Sequence, residues 1–218
     1  MDELYLRTET IRGNPALEPE RALNLDAGVS LGDEEFPLSG DLTLFHTDIQ
    51  RTILFLPRTA YLFEATNLEG AESRGLEATA ELALRERYRV RLNYTLTDAH
   101  LDSTPSVQLP HHPTHRGVLA TQLEFGGLGP LDGIRNLKLT GEFDARSGVN
   151  LDNFGNLTNE PFWQVDVGVE FVPTSAIRLG LQLQNVTDNR RGADHLQRPL
   201  PGRSIYASLR LVNGTLEE

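Results

Sequence analysis

The residues Trp163-Gln-Val165-Asp-Val167-Gly-Val169-Glu-Phe171, the break Val172-Pro173-Thr174-Ser175 and the run Ile177-Arg-Leu179-Gly-Leu181-Gln-Leu183-Gln-Asn185 decide the fold. Each arm alternates apolar and polar side chains with period 2, the mark of a strand whose faces meet different surroundings. The arms predict one hairpin. Its apolar face carries Trp163, Val165, Val167, Val169 and Phe171 beside Ile177, Leu179, Leu181 and Leu183; Gln164, Asp166, Glu170, Arg178, Gln182 and Gln184 share the other. The arms exceed the usual 5 to 6 residues of soluble strands and approach the about 9 to 11 of a tilted strand crossing a bilayer.

Working outward, the same alternation recurs. It runs through Leu23–Leu31, from Leu42 to about Ile53, through Tyr61–Leu84, Val90–Leu96, Leu119–Phe125 and Leu137–Phe143, and again over Ile205–Leu211, with a weak opening strand at Leu4, Leu6 and Thr8. Glu81 to Glu86 are good helix formers, but period 2 resumes at Val90, which favours strand there. The prediction is an all-β, antiparallel, up-and-down meander of about ten long strands in a single domain over residues 1–218. It is part of a transmembrane-type β-barrel or closes as one. Short links (Gly32 to Pro37, Leu84 to Tyr88, Gly126 to Arg135, Val172 to Ala176) alternate with longer ones (Ile11 to Glu20, Thr52 to Ala60, His100 to His115, Ser147 to Pro161, Thr187 to Pro201). Tight turns at one end and large loops at the other are how outer-membrane barrels are built.

Composition fits that class. Hydrophobic residues make up 39% of the 218, and no run approaches the roughly 18 apolar residues of a spanning helix. A net charge of -11 argues against nucleic acid as a partner. The absence of cysteine excludes disulfides, thiolate metal sites and cysteine nucleophiles. Met1 to Tyr5 hold neither a basic nor an apolar stretch, so no export signal is expected there.

Several short pieces, in order and at similar spacing, resemble the carboxy-terminal barrel portion of TonB-dependent outer-membrane receptors. They are Asn14-Pro15-x-Leu17-x-Pro19-Glu20 with Asn24-Leu-Asp26-Ala-Gly28, Phe45-His-Thr-Asp48-Ile49, Asn67, Gly75-Leu-Glu77, Tyr94-Thr-Leu-Thr-Asp98-Ala99, Pro113-Thr-His115-Arg116, Asn185-Val-Thr-Asp188 and Arg198-Pro199-Leu-Pro201-Gly202-Arg203. The resemblance implies location in the outer membrane, lipid against the apolar face, and uptake of a scarce small molecule such as a siderophore-type metal chelate, cobalamin or a glycan. It implies as partners an amino-terminal plug and the rest of a barrel of about twenty-two strands, neither of which is expected within this chain. The ligand-facing segments would be the loops 100–115, 147–161 and 187–202.

Other readings compete. His111-His112-x-x-His115 places three imidazoles in one loop, a pattern that can hold a transition metal, against a solvated loop in which His115 is structural. Asp166, Glu170, Glu142, Asp144, Glu77 and Glu81 can be read as acid–base pairs, or as a hydrated wall partnered by Arg89, Arg91, Lys138, Arg178 and Arg210. No nucleophile elbow, phosphate loop or zinc-protease motif occurs, so neither enzyme activity nor a cofactor is expected. Gly126, Gly127 and Gly129 read as turn glycines. Trp163, Phe162 and Phe143 near the loops, with Phe125 and Phe171 near the turns, form candidate interfacial belts, although aromatics make up only 7% of the chain. The alternative function is a soluble β-barrel or β-sandwich binding module with no transport role.

Overall fold

The computed structural model describes residues 2–32, 36–59, 61–68, 70–84, 87–126, 136–174, 176–191, 198 and 200–211. A helical turn, α1 (Asp2–Tyr5), and a short β1 (Ile11–Arg12) precede the long strands β2 (Arg21–Leu31) and β3 (Leu38–Gln50). The excursion β4 (Ile53–Pro57) and β5 (Phe63–Asn67) leads to β6 (Ala71–Leu84), β7 (Tyr88–Leu101), β8 (His115–Gly126) and β9 (Asn136–Arg146). Two minor strands, β10 (Val149–Asn150) and β11 (Thr158–Asn159), precede β12 (Phe162–Thr174), β13 (Ile177–Gln184) and β14 (Ser204–Leu211).

Nine of these form one antiparallel sheet in the order β14-β13-β12-β9-β8-β7-β6-β3-β2, which is the predicted meander with one strand fewer. The sheet is open. Among the described residues β2 pairs only with β3 and β14 only with β13. The hairpin read first from the sequence forms as expected, with Val167 opposite Leu183, Val169 opposite Leu181 and Phe171 opposite Leu179. Its register slips between Phe171 and Thr174, where Pro173 sits. Proline cannot donate to a ladder and belongs at such a bulge.

Cross-strand register carries the alternation over the whole sheet. Leu42 faces Ala78, which faces Tyr94; Leu119 faces Phe143, which faces Val165; Leu181 faces Ala207. Away from the loop end one face is thus apolar from edge to edge, and the other holds the six carboxylates read as acid–base candidates; nearer the loops the first face turns polar, with His46, Asp48, Glu72, Arg74, Asp98 and His100 side by side. A one-residue slip anywhere would invert that strand's contribution.

Three local expectations are corrected. Leu4 to Thr8 do not form a strand: Asp2–Tyr5 is helical, and the Thr8 hydroxyl accepts from the Thr10 and Ile11 amides to make a turn. The third strand stops at Gln50, because Arg51 takes a left-handed conformation (φ 62°). The segment from Tyr61 to Leu84 is two strands: β5 pairs with β1 and β4, and β6 joins the large sheet. Gly127 and Gly129 lie outside the described residues.

The described residues of the long segments 2–20, 51–70, 102–114, 147–161 and 185–203 stand at one end of the sheet, and β2, β6, β8 and β12 run to their last residues at the other. Packing follows the same division. Among the described residues Gly13, Ala65, Gly70, Ala71, Ala99, His100, Leu101, Val149 and Asn185 are the buried ones, and every one is at the loop end. The wall itself is a single layer, with Leu25 56% and Leu181 53% exposed on its apolar face.

One close approach is built into the polar face. Phe45 lies over Gly75, where an added Cβ would stand 2.6 Å from Phe45 Cζ and also strike the Leu96 carbonyl. Gly75→Val should therefore cost about 2 kcal/mol or more in urea unfolding of the refolded chain. Gly126→Ala, with open space around it, should stay within about 0.5 kcal/mol.

Candidate functional site

The loop end is held by three amide side chains. Asn67 accepts from the Glu18 amide at 2.7 Å and donates to the Glu18 and Arg51 carbonyls at 2.9 and 3.0 Å, tying the segment before β2 to the β3–β6 excursion. Arg51 pairs with Glu18 at the same joint. Gln108 folds the β7–β8 loop back on β7: it accepts from Ala99 N at 3.1 Å and donates to Thr97 O at 3.0 Å, and its carbonyl takes a 2.7 Å bond from Asn150. Asn185, 2% exposed, donates to the Asn189 and Pro201 carbonyls and accepts from Asn189 N. Its φ of 49° suits asparagine better than most residues.

Asp188 completes the third joint. It accepts from Arg203 N at 2.8 Å and Arg190 Nε at 3.0 Å, and the Arg203 amide above all holds its carboxyl below the usual aspartate range. Asn14, whose Oδ1 accepts from Ala16 N at 3.0 Å, and Asn67, Asn185, Asp188 and Arg203, all quoted in the sequence motifs, thus act in the architecture of the loops.

Between these joints the polar face forms a recess of about 410 Å³ under the loops. Its upper row is Arg116, Arg146 and Phe162, direct partners across β8, β9 and β12. The Arg146 guanidinium lies 5.4 Å from the Phe162 ring centre, and Arg116 Nη2 is 3.6 Å from Asp144. His111, Gln164, Gln184 and Tyr206 add further polar groups. A second recess of about 430 Å³ lies deeper on the same face, between Arg89 and Arg91 on one side and Glu142 and Asp166 on the other.

The loop 100–115 contributes His111 and Pro113 to the upper recess, and 187–202 contributes Leu200, Pro201 and Gly202. The loop 147–161 braces it from behind, as the Asn150 carbonyl accepts from His111 N at 2.9 Å. The three imidazoles do not converge. His111 lines the recess, His112 Nδ1 bonds the Pro110 carbonyl, and His115 stacks on Tyr94 with Nδ1 2.8 Å from its hydroxyl. Among the described residues no group of three or more histidines and carboxylates is placed to hold a metal ion.

Four of the six carboxylates read as acid–base candidates have structural partners. Glu81 pairs with Arg89 and Arg91, Glu170 with Arg178, and Asp144 with Arg116; Asp166 accepts from Asn185 N and Gln164. The aromatic belts need one correction. Trp163 and Phe143 meet on the apolar face, ring centres 6.2 Å apart, but Phe162 points to the polar face, as alternation beside Trp163 requires. Tyr94 belongs near the loops instead, and Tyr88 near the turns. Sequence reading missed Arg146 and Tyr206 as recess residues. Their even position on polar faces was visible, but which strands bring them together was not.

Comparison with known proteins places this geometry. Residues 1–186 match a family model described as TonB dependent receptor-like, β-barrel. The iron-regulated outer membrane virulence protein of Vibrio cholerae serotype O1 is 26% identical over 196 residues, covering 82% of this chain and 29% of that protein. Among solved structures, the ferric yersiniabactin uptake receptor FyuA of Yersinia pestis superposes with a TM-score of 0.73 at 13% identity, over 88% of this chain and 30% of its own. The ferric enterobactin receptor PfeA of Pseudomonas aeruginosa does so at 0.70 and 19% identity, over 92% and 32%. The chain therefore spans less than a third of these relatives.

Asn185→Ala removes three buried side-chain hydrogen bonds and should lower the opening free energy of residues 186–191 and 200–203 by about 2–3 kcal/mol in hydrogen exchange. Because the Asp188 carboxyl is depressed in the folded chain, its contribution is complete above the ordinary value of 3.8 and fades as pH falls below it. Protection of the Arg203 amide should fall in that window, and Asp188→Asn should abolish the pH dependence.

Proposed function

The chain belongs to the TonB-dependent receptor β-barrel family, and from that premise we propose that it is a section of the wall of an outer-membrane uptake receptor. Its apolar face meets lipid, its polar face lines an aqueous lumen shared with a plug, and its loop end faces outward to capture a siderophore-type metal chelate. The observation that carries this reading is the division of packing: the wall is bare on both faces, while the loop end is the one packed region among the described residues. A water-soluble sandwich needs a second layer over Leu23, Leu25, Leu181 and Leu209. Lipid serves in its place for a strand set of this length, with β3, β6, β7 and β12 at 13, 14, 14 and 13 residues. The iron-linked names of the relatives support a metal chelate as ligand.

Direction adds a constraint. β2 and β14 both start at the loop end, so pairing them with each other would be parallel. An all-antiparallel barrel that includes this wall takes an odd number of further strands, which the rest of a longer receptor supplies.

Refolding into phospholipid bilayers with a urea titration tests the assignment of faces. Val167→Arg, at mid-wall on the apolar face, should destabilise the inserted chain by about 2–4 kcal/mol, and Gln182→Arg on the polar face should change it by less than about 1 kcal/mol. Equal costs at the two positions would overturn the reading.

A further inference from the structure

The apolar face changes character near the loops on three adjacent strands. Asp48, Glu72 and His100 are direct partners across β3, β6 and β7, and His46, Arg74 and Asp98 are direct partners two residues nearer the turns on each strand. Asp102 adds a fourth carboxylate, lying over Gly70 at the root of the β7–β8 loop. Against these stand Arg74, whose Nη2 is 3.0 Å from Asp98, and Arg21 at the margin, opposite Gln50. With both imidazoles neutral the patch holds excess negative charge, and Asp48 faces Glu72 directly, a like-charge relation that weakens a sheet.

His100 sits at the centre of that imbalance. It is 9% exposed, and its Nδ1 is buried with no hydrogen-bond partner. Nε2 lies 3.7 Å from Glu72 and Nδ1 3.7 Å from Asp98, each beyond hydrogen-bond length. A neutral ring thus leaves a buried nitrogen unmatched, which is costly. A protonated ring has two N–H donors, one toward each carboxylate. Both carboxylates are exposed enough to swing in and close charge-assisted bonds, and the added proton reduces the excess negative charge. The remaining groups around the ring are His46 and Asp48 on β3, Arg74 on β6, Asp102 and the neutral Gln108 in the loop, and His115 on β8, which is engaged with the Tyr94 hydroxyl.

The β7–β8 loop is rooted at this residue. His100 is bridged to Gln108, Asp102 N donates to Gly70 O at 3.0 Å, and Leu109 N donates to Ala99 O at 2.7 Å. The same loop brings His111 and Pro113 to the upper recess.

We propose that His100 is a proton-operated latch on the β7–β8 loop. Taking up a proton, it ties Glu72 on β6 to Asp98 on β7 and holds the loop root closed; losing it, it leaves the carboxylates to repel one another, and the root opens more often. The rim that this loop gives the recess is then best ordered at acid pH. The latch stands apart from the receptor reading, whose failure would show in the bilayer cost of Val167→Arg.

Amide hydrogen exchange of the full chain, refolded in detergent, tests it, with protection taken relative to the intrinsic exchange rate at each pH. From about pH 8 to about pH 5.5, where histidine takes up its proton, protection of the Asp102 and Leu109 amides should rise about tenfold. The Arg203 amide, bound to Asp188, is the internal control and should stay constant, because its own window lies below 3.8. His100→Gln should flatten the profile even though His111, His112 and His115 remain. His46→Gln should keep most of it, since that ring is far more exposed. Glu72→Gln combined with Asp98→Asn, which keeps the imidazole and removes both acceptors, should flatten it as well. Circular dichroism confirms that each variant keeps its strands. A flat or falling profile in the unaltered chain, or an unchanged one in His100→Gln or in the double variant, would overturn the latch.

Discussion

The structure depends on the phase of one alternation, held constant through eight strand pairings. Because side chains on a strand alternate between faces, each register either continues the apolar surface of its neighbour or breaks it. Here it is continued from Val29 on β2 to Leu209 on β14, and among the described residues nothing covers the large apolar face that results. Hydrophobic burial, the dominant favourable term in most folds, is therefore left to the surroundings. On the function proposed above, a membrane meets that demand, and a barrel completed by further strands meets the second one, the edges of β2 and β14 that are unpaired among the described residues.

Polar chemistry is distributed to match. Along the wall, guanidiniums and carboxylates are set across the strands in pairs that water also screens, and each pair adds little stability by itself. At the loop end, where backbone groups leave the ladder, Asn67, Gln108 and Asn185 supply the missing donors and acceptors. Asn185, the buried one of the three, is the costliest to leave unmatched, and together they specify one arrangement when matched. They fix the loops firmly enough that the recess beneath them has defined walls.

Much of this was legible in the residues. The hairpin around Pro173, the assignment of polar and apolar faces, and the alternation of short and long connections all follow from period 2 and turn chemistry, which are local. What failed was also local in origin. Leu4 to Thr8 alternate, but a threonine side chain captured the backbone and no neighbouring strand paired with them. Gln50 ended a strand because of one left-handed residue, Arg51, that no pattern announces. Phe162 was grouped with Trp163 by proximity in sequence, against the rule that neighbours in a strand face opposite ways. The site was less legible than the fold. The motif residues turned out to brace loops, whereas the Arg116, Arg146 and Phe162 row depends on registers between strands up to about 30 residues apart in sequence. Resemblance to a family located the chain, and geometry located the recess.

The central claim is that odd-numbered residues from Trp163 to Phe171 face lipid and even-numbered ones face water. With no cysteine in the chain, single-cysteine variants at each position from 163 to 171 can carry one spin label apiece. Collision rates with oxygen, which concentrates in lipid, and with a water-soluble nickel chelate should then alternate with period 2 in the reconstituted chain, oxygen highest at 165, 167 and 169 and nickel highest at 164, 166 and 168. The opposite phase, or no alternation, would contradict the account.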